Sequence, residues 1–184
     1  MKEQELLTRA KAGDKQALSG LIEQNYKTLN GFIIKLTGDI YLSEDLLQET
    51  LMKAIVNIKS YKGDSKFSTW LIKIALNLYR NNYNRQKKIR FEEMSDDSFI
   101  SKGSEVEDKI EAKLQVEEVL KELQTLSYEK RVTFILKHYY GYSLEEISNI
   151  MGCAEGTVKS RLHNTIKGLK SVFKSKEVSI YEEE

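Results

Sequence analysis

The chain has 184 residues, 40% hydrophobic and 31% charged, with one cysteine and no proline. That length holds one ordinary domain or two small ones, and the composition excludes outright disorder, a disulfide-stapled fold and a turn-rich β architecture. The formal net charge of +1 is unevenly laid down: residues 1–90 carry 16 Lys/Arg against 9 Asp/Glu, whereas residues 91–111 carry two against eight. Basic stretches parted by an acidic strip predict two nucleic-acid surfaces joined by a solvated linker. The opening "MKEQELLTRAKAGDK" lacks the apolar core of a secretory signal, and no apolar run approaches membrane-spanning length. The expectation is a soluble, cytoplasmic, all-α protein.

Helical periodicity begins with Leu6, Leu7 and Ala10 and stops at Gly13-Asp14. A second helix sends Leu18, Leu21, Ile22, Leu29, Phe32, Ile33 and Leu36 towards a core and ends at Thr37-Gly38-Asp39. Ser43 is then expected to cap a third, whose Leu47, Leu51, Ile55 and Ile58 form its inner stripe. That arrangement leaves Glu44, Asp45, Gln48, Glu49 and Met52 outside as an acidic face that would repel DNA and suit a basic protein partner. The simpler alternative, an acidic first turn favoured by the helix dipole, accounts for Glu44 and Asp45 but not for Gln48 and Met52.

After "KGDSK" at 62–66, a long helix is expected from about Ser65 to Lys88. Its core stripe is Phe67, Leu71, Ile74 and Leu78; a second stripe is Trp70, Lys73, Asn77, Asn81 and Asn84. Asparagine offers paired donor and acceptor groups to base edges, and tryptophan offers a stacking plate. Arg80, Arg85, Lys87, Lys88 and Arg90 follow with no acid between. Together these suit single-stranded or melting DNA. The plainer reading keeps Trp70 as a core anchor above a solvated face.

Residues 91–111 have weak periodicity and read as an acidic interdomain linker in which Phe99 and Ile100 have the means to dock. Periodicity resumes with Val116, Val119, Leu120, Leu123 and Leu126, then Val132, Ile135 and Leu136. "YSLEEISNIMGCAEGTVKSRL", from Tyr142 to Leu162, reads as helix, turn and helix. Ser143 and Glu146 fit a capping box, Leu144, Ile147, Ile150 and Met151 face inwards, and Gly152 suits a left-handed turn. On the helix starting near Ala154, the core side is Val158, Leu162, Ile166 and Leu169. The opposite side presents Gly156, Ser160, His163, Asn164 and Lys167, flanked by Lys159 and Arg161. A small, polar and basic face near a helix start suits the major groove, with His163 a phosphate or base-edge contact. An ordinary helical hairpin with a solvated face remains the alternative, and Cys153 is a small turn residue. No nucleophile, metal-ligand or phosphate-loop constellation is present, so no catalytic residue, metal or cofactor is expected.

Three segments, in this order, resemble the extracytoplasmic-function (ECF) group of bacterial sigma factors. "EDLLQETLMKAIVNI" looks like their core-polymerase-binding segment, "YKGDSKFSTWLIKIALNLYRNN" is similar to their minus-ten-reading loop and helix, and "LQTLSYEKRVTFILKHYYGYSLEEISNIMGCAEGTVKSRL" looks like their minus-thirty-five-binding domain. The resemblance implies region 2 over 1–90, an acidic linker over 91–111 directed towards the RNA exit channel, region 4 over 112–176 and an acidic solvated tail over 177–184. It implies that Asp45, Gln48, Glu49 and Met52 grip the β′ clamp helices of core RNA polymerase, with the β flap as a further contact. It assigns the minus-ten element to Tyr61, Lys62, Phe67, Trp70, Lys73, Asn77, Arg80 and Asn81. A flipped base would sit against the loop Tyr61 to Gly63, with Phe67 and Trp70 supporting it. It assigns the minus-thirty-five element to Gly156, Thr157, Lys159, Ser160, Arg161, His163, Asn164 and Lys167. It further implies promoter DNA as ligand, a cognate anti-sigma factor, often membrane-anchored, and a monomer when free. The family often has Pro where this chain has Ser127 and Ser or Pro where it has Ala154, which predicts a recognition helix without a side-chain cap. Asn164 and Ile166 replace common basic residues and predict a shallower salt dependence. A stand-alone helix-turn-helix regulator and a helical adaptor protein are the rival expectations.

Overall fold

The computed structural model describes the backbone of residues 3–92 and 119–182, with side chains for 3–81 and 119–173. The expected linker from residue 93 onward, including Phe99 and Ile100, and Val116 lie outside the described residues. Every regular element within them is helical. The chain divides into two compact units, Met1–Ser104 and Glu105–Glu184.

The first unit holds α1 (Glu3–Lys11), α2 (Lys15–Thr37), α3 (Ile40–Asn57), a 3-10 turn (Ile58–Ser60) and α4 (Phe67–Glu92). Asp14 starts α2: its Oδ1 accepts from the backbone N–H of Gln16 at 2.9 Å and Ala17 at 3.1 Å. The Arg9 guanidinium donates to Oδ2 at 2.7 Å. The Ala17 amide, followed by Arg9, holds the Asp14 carboxyl below its ordinary range. Gly38 ends α2 at φ 67°, a left-handed turn that only glycine adopts without strain. Leu21, Leu29, Phe32, Ile33 and Leu36 of α2 form the centre of the core, with Leu6 and Leu7 of α1 and Phe67, Leu71 and Ile72 of α4. Each such burial contributes about 1.5–3 kcal/mol.

Helix α3 departs from the expected pattern. Its N-cap is Asp39, whose side chain accepts from the Leu42 N–H at 2.9 Å; Ser43 lies inside the first turn and is buried. The inner face is Ser43, Leu46, Leu47, Thr50 and Ala54, while Leu51 is half-buried and Ile55 is exposed. At 100° per residue the helix is rotated by roughly 80° from the stripe that counts only large apolar residues. Ser43 and Thr50 can be buried because each hydroxyl donates to its own helix, to Asp39 O at 2.5 Å and Leu46 O at 2.6 Å. In α4, Ile74 is half-buried where a core position was expected, and Ile72 and Ala75 are buried instead. Helix α4 also continues two residues into the segment expected as linker.

The second unit comprises α5, described over 119–125, α6 (Tyr128–His138), α7 (Leu144–Met151) and α8 (Glu155–Glu182). Leu123, Val132, Ile135, Leu136, Ile147 and Val158 are fully buried and form its centre. Arg131 is buried among them, donating to Gln124 Oε1 and to Leu126 O, which ties α6 to the end of α5. The capping box forms as expected: Glu146 N–H donates to Ser143 Oγ at 3.1 Å, and Ser143 N–H donates to the Glu146 carboxylate at 2.7 Å. Gly152 takes the left-handed turn at φ 63°. Leu144, Ile150 and Met151 are only half-buried, and on α8 Thr165 is buried while Ile166 is half-exposed. Helix α8 runs through Glu182, so residues 177–182, expected as tail, are helical; no glycine or proline follows Gly168 to stop them.

Replacing Gly38 by alanine forces a Cβ into the left-handed region. Gly38→Ala should lower the stability of the first unit by about 1 kcal/mol. Urea unfolding followed by the emission of Trp70, the sole tryptophan, reads this directly; an unmoved midpoint would contradict the assigned turn.

Candidate polymerase and nucleic-acid surfaces

The rotation of α3 decides what its outer side offers. Asp45, Gln48, Glu49 and Met52 are all exposed, and steps of three and four place Asp45, Gln48 and Met52 together. The same face carries Tyr41 at 83% exposure, Met52 at 68%, Ile55 at 47% and Val56 at 79%. Carboxylates of Glu44, Asp45 and Glu49 thus rim an apolar strip. Sequence reasoning missed Tyr41, Ile55 and Val56; the signal available was that Ser43, Thr50 and Ala54 share one side of the wheel. An apolar centre with a charged rim is the anatomy of a protein-binding surface.

The opposite flank of α3 faces α4 across a cavity of about 280 Å³, lined by Lys53, Asn57 and Ser60 from the α3 side and by Trp70, Ile74, Asn77, Leu78 and Asn81 from α4. The structure therefore brings Trp70, Asn77 and Asn81 to one place and adds three polar groups that no motif near α4 announced. Asn77 and Asn81 are exposed, Trp70 and Lys73 half-buried. Asn77 Oδ1 accepts from the Arg80 guanidinium at 3.4 Å, and Lys53 Nζ lies 3.9 Å from the Glu49 carboxylate. Asn57 Nδ2 donates to Lys53 O at 2.8 Å, which orients its amide at the cavity edge. The side chains of Asn84, Arg85, Lys87, Lys88 and Arg90 lie outside the described residues.

Tyr61 and Phe67 are buried, so they support the surface from beneath; Lys62 is exposed on the loop. The rings of Tyr61, Phe67 and Trp70 form a mutual cluster with centroids 5.2–5.5 Å apart. The Tyr61 hydroxyl donates to Ser65 O, closing the loop that precedes α4. Burial, then the carboxylates of Glu3 and Asp64, raise the Tyr61 pKa and keep that hydroxyl a donor.

In the second unit, Gly156, Lys159, Ser160, His163, Asn164 and Lys167 are exposed on one side of α8, and Thr157 is half-buried. Ser160 Oγ donates to Thr157 O at 3.0 Å. Arg161 is half-buried and leans back towards the turn, its guanidinium 3.5 Å from Cys153 Sγ. The residue before α8 is Ala154, whose carbonyl accepts the Thr157 and Val158 N–H groups but whose side chain has no acceptor. Among the described residues, no cluster of His, Cys, Asp or Glu is placed to hold a metal ion, and no helix is long and apolar enough to cross a membrane.

Residues 21–89 match Sigma-70 region 2 and residues 116–168 match Sigma-70, region 4. The chain is 34% identical over 147 residues to the ECF RNA polymerase sigma factor EcfG of Rhodopseudomonas palustris, covering 79% of each chain. It is 29% identical to the RNA polymerase sigma-H factor of Pseudomonas aeruginosa over 87% of this chain and 88% of that one. Among solved structures, the sigma factor RpoE of Bartonella quintana, in complex with the anti-sigma factor NepR, is 30% identical. Its TM-score is 0.71, with 85% of this chain and 96% of that chain covered. The chain belongs to the ECF family of RNA polymerase sigma factors, alternative sigma factors that direct transcription initiation. Core RNA polymerase and promoter DNA are its partners.

Without the Tyr61 hydroxyl the loop loses its closing bond. Tyr61→Phe should cost about 1 kcal/mol and open Trp70 to iodide quenching in the folded protein. Quenching identical to wild type would show that the loop is held by other contacts.

Proposed function

We propose that this sigma factor divides its work among three surfaces. The outer face of α3 binds core polymerase at the β′ clamp helices, with Tyr41, Met52, Ile55 and Val56 as the apolar centre and Glu44, Asp45, Gln48 and Glu49 as the polar rim. The cavity between α3 and α4 receives unpaired bases of the opened downstream element. Asn77, Asn81 and Asn57 supply amide groups for base edges, Trp70 supplies a stacking surface, and Lys53 and Lys73 neutralise phosphates. The exposed side of α8, from Gly156 to Lys167, reads the upstream element in duplex form, with Lys159 and Lys167 on phosphates. The protein performs no covalent chemistry itself; binding energy to unpaired bases offsets the cost of unstacking them.

One observation carries this reading: Asn77, Asn81 and Trp70 of α4 line the same cavity as Lys53 and Asn57 of α3. Amides, an aromatic plate and a cation gathered along one open groove are the groups that an unpaired base and its phosphate require. The β flap is the further polymerase contact, made by the second unit. A cognate anti-sigma factor, membrane-anchored and holding the factor in the cytoplasm, completes the proposal; the likeness to a sigma factor solved with its anti-sigma factor supports the partner.

Run-off transcription with purified core polymerase tests the reading. The double variant Asn77→Ala, Asn81→Ala should cut promoter-dependent transcript roughly tenfold, the loss of one or two base contacts, while co-purifying with polymerase as wild type does. Equal transcript from both proteins would remove α4 from recognition. Asp45→Lys with Gln48→Ala should instead weaken polymerase capture by about tenfold or more. Unchanged capture would move the polymerase site off α3.

A further inference from the structure

Helix α1 lies outside the residues that match Sigma-70 region 2, which begin at 21. Its inner side is ordinary packing: Leu6, Leu7 and Ala10 are buried. Its two ends, however, both reach the loop that leads into α4. Glu3 Oε1 accepts a hydrogen bond from the backbone N–H of Phe67 at 3.3 Å, across 64 positions of sequence. At the other end, Lys11 Nζ lies 5.6 Å from the centroid of the Tyr61 ring, within cation–π range.

Phe67 is the first residue of α4, where backbone N–H groups have no acceptor inside the helix. The preceding residue, Lys66, accepts the Trp70 N–H through its backbone carbonyl at 3.2 Å, but its side chain has no acceptor atom. Glu3 supplies that acceptor from another helix, and its negative charge is favoured at a helix N-terminus. The two groups that α1 touches, Phe67 and Tyr61, are the ones that pack Trp70, at 5.4 and 5.2 Å between centroids. Trp70 in turn walls the cavity with Asn77 and Asn81.

We infer that α1 is a positioning element for promoter recognition: Glu3 clamps the start of α4 and, through Phe67 and Tyr61, sets the Trp70 ring in the cavity wall. The inference rests on the reading of that cavity as the base-binding site. Glu3 is exposed and packs no core, so its removal leaves the fold intact while freeing the helix start.

The test uses the full chain in three forms, Glu3→Ala, Glu3→Gln and the Asn77→Ala, Asn81→Ala double variant. Three readouts are taken: acrylamide quenching of Trp70 in the free protein, affinity for core polymerase, and transcription from promoters differing by one downstream base. Glu3→Ala should raise Trp70 quenching about twofold and cut single-base discrimination about threefold, the scale of a lost helix cap, with polymerase affinity unchanged. Glu3→Gln retains an amide oxygen as acceptor and should recover most of both losses. Quenching unaffected by Glu3→Ala, no recovery in Glu3→Gln, or a parallel fall in polymerase affinity would each overturn the positioning role. Trp70 loosened in Glu3→Ala with discrimination intact, while the asparagine variant loses it, overturns the role and leaves the cavity reading standing. Discrimination intact in the asparagine variant removes the cavity reading and the inference with it.

Discussion

The structure of the first unit depends on how α3 buries itself. Ser43, Thr50 and Ala54 occupy its inner face with Leu46 and Leu47, and the two hydroxyls are satisfied by carbonyls one turn earlier. Small side chains of this kind let neighbouring helices approach closely, and the intrahelical hydrogen bonds remove the desolvation cost that would otherwise keep Ser and Thr at the surface. Several of the larger apolar residues of the helix are displaced to the outside. Met52, Ile55 and Val56 stay in solvent as an exposed apolar strip. The same rotation turns Lys53 and Asn57 towards α4, where they close one side of the cavity. In the proposed division of work, one helix thereby serves polymerase on one flank and promoter DNA on the other.

Melting a promoter requires that unpaired bases be bound more favourably than they stack, and stacking amounts to a few kcal/mol per step. A receptor that must order itself on binding would dissipate much of that free energy. The region before α4 is ordered in advance: three rings pack on one another, Tyr61 closes the loop through Ser65, and Glu3 holds the first amide of the helix. The proposed recognition groups, Trp70, Asn77 and Asn81, sit about one to four turns further along a helix whose start is fixed, so their spacing is set by helical geometry. In the second unit the fixed part is α7, closed by its capping box and by Gly152, whereas α8 begins without a side-chain cap. At that helix start Ala154 offers only its backbone carbonyl, which accepts from Thr157 and Val158, and no side-chain acceptor.

Much of this was legible in the sequence. Hydrophobic spacing is enough to place α1, α2, α4 and the helices of the second unit. The Ser143 and Glu146 pair and Gly152 identify the helix-turn-helix because capping and left-handed turns depend on local chemistry alone. The asparagine stripe and Trp70 are visible as a face because helical periodicity needs only the residues of that helix.

The tertiary structure decided what depends on distant neighbours. Whether a serine or threonine is inside is a question of whether its hydroxyl finds an acceptor and whether a neighbouring helix comes close. Ser43 therefore reads as a helix cap, and Thr50 and Thr165 carry no burial signal, until the helices are packed. The burial of Tyr61 and Phe67, Ile55 and Val56 outside, and the joining of Lys53 and Asn57 to α4 all follow from that packing. Glu3 at the head of α4 bridges 64 residues, a contact with no periodicity to betray it. Sequence alone determined which groups are available for recognition, because their chemistry and local spacing are intrinsic. Packing determined which of them share a site, because only the folded chain brings α1, α3 and α4 within reach of one another.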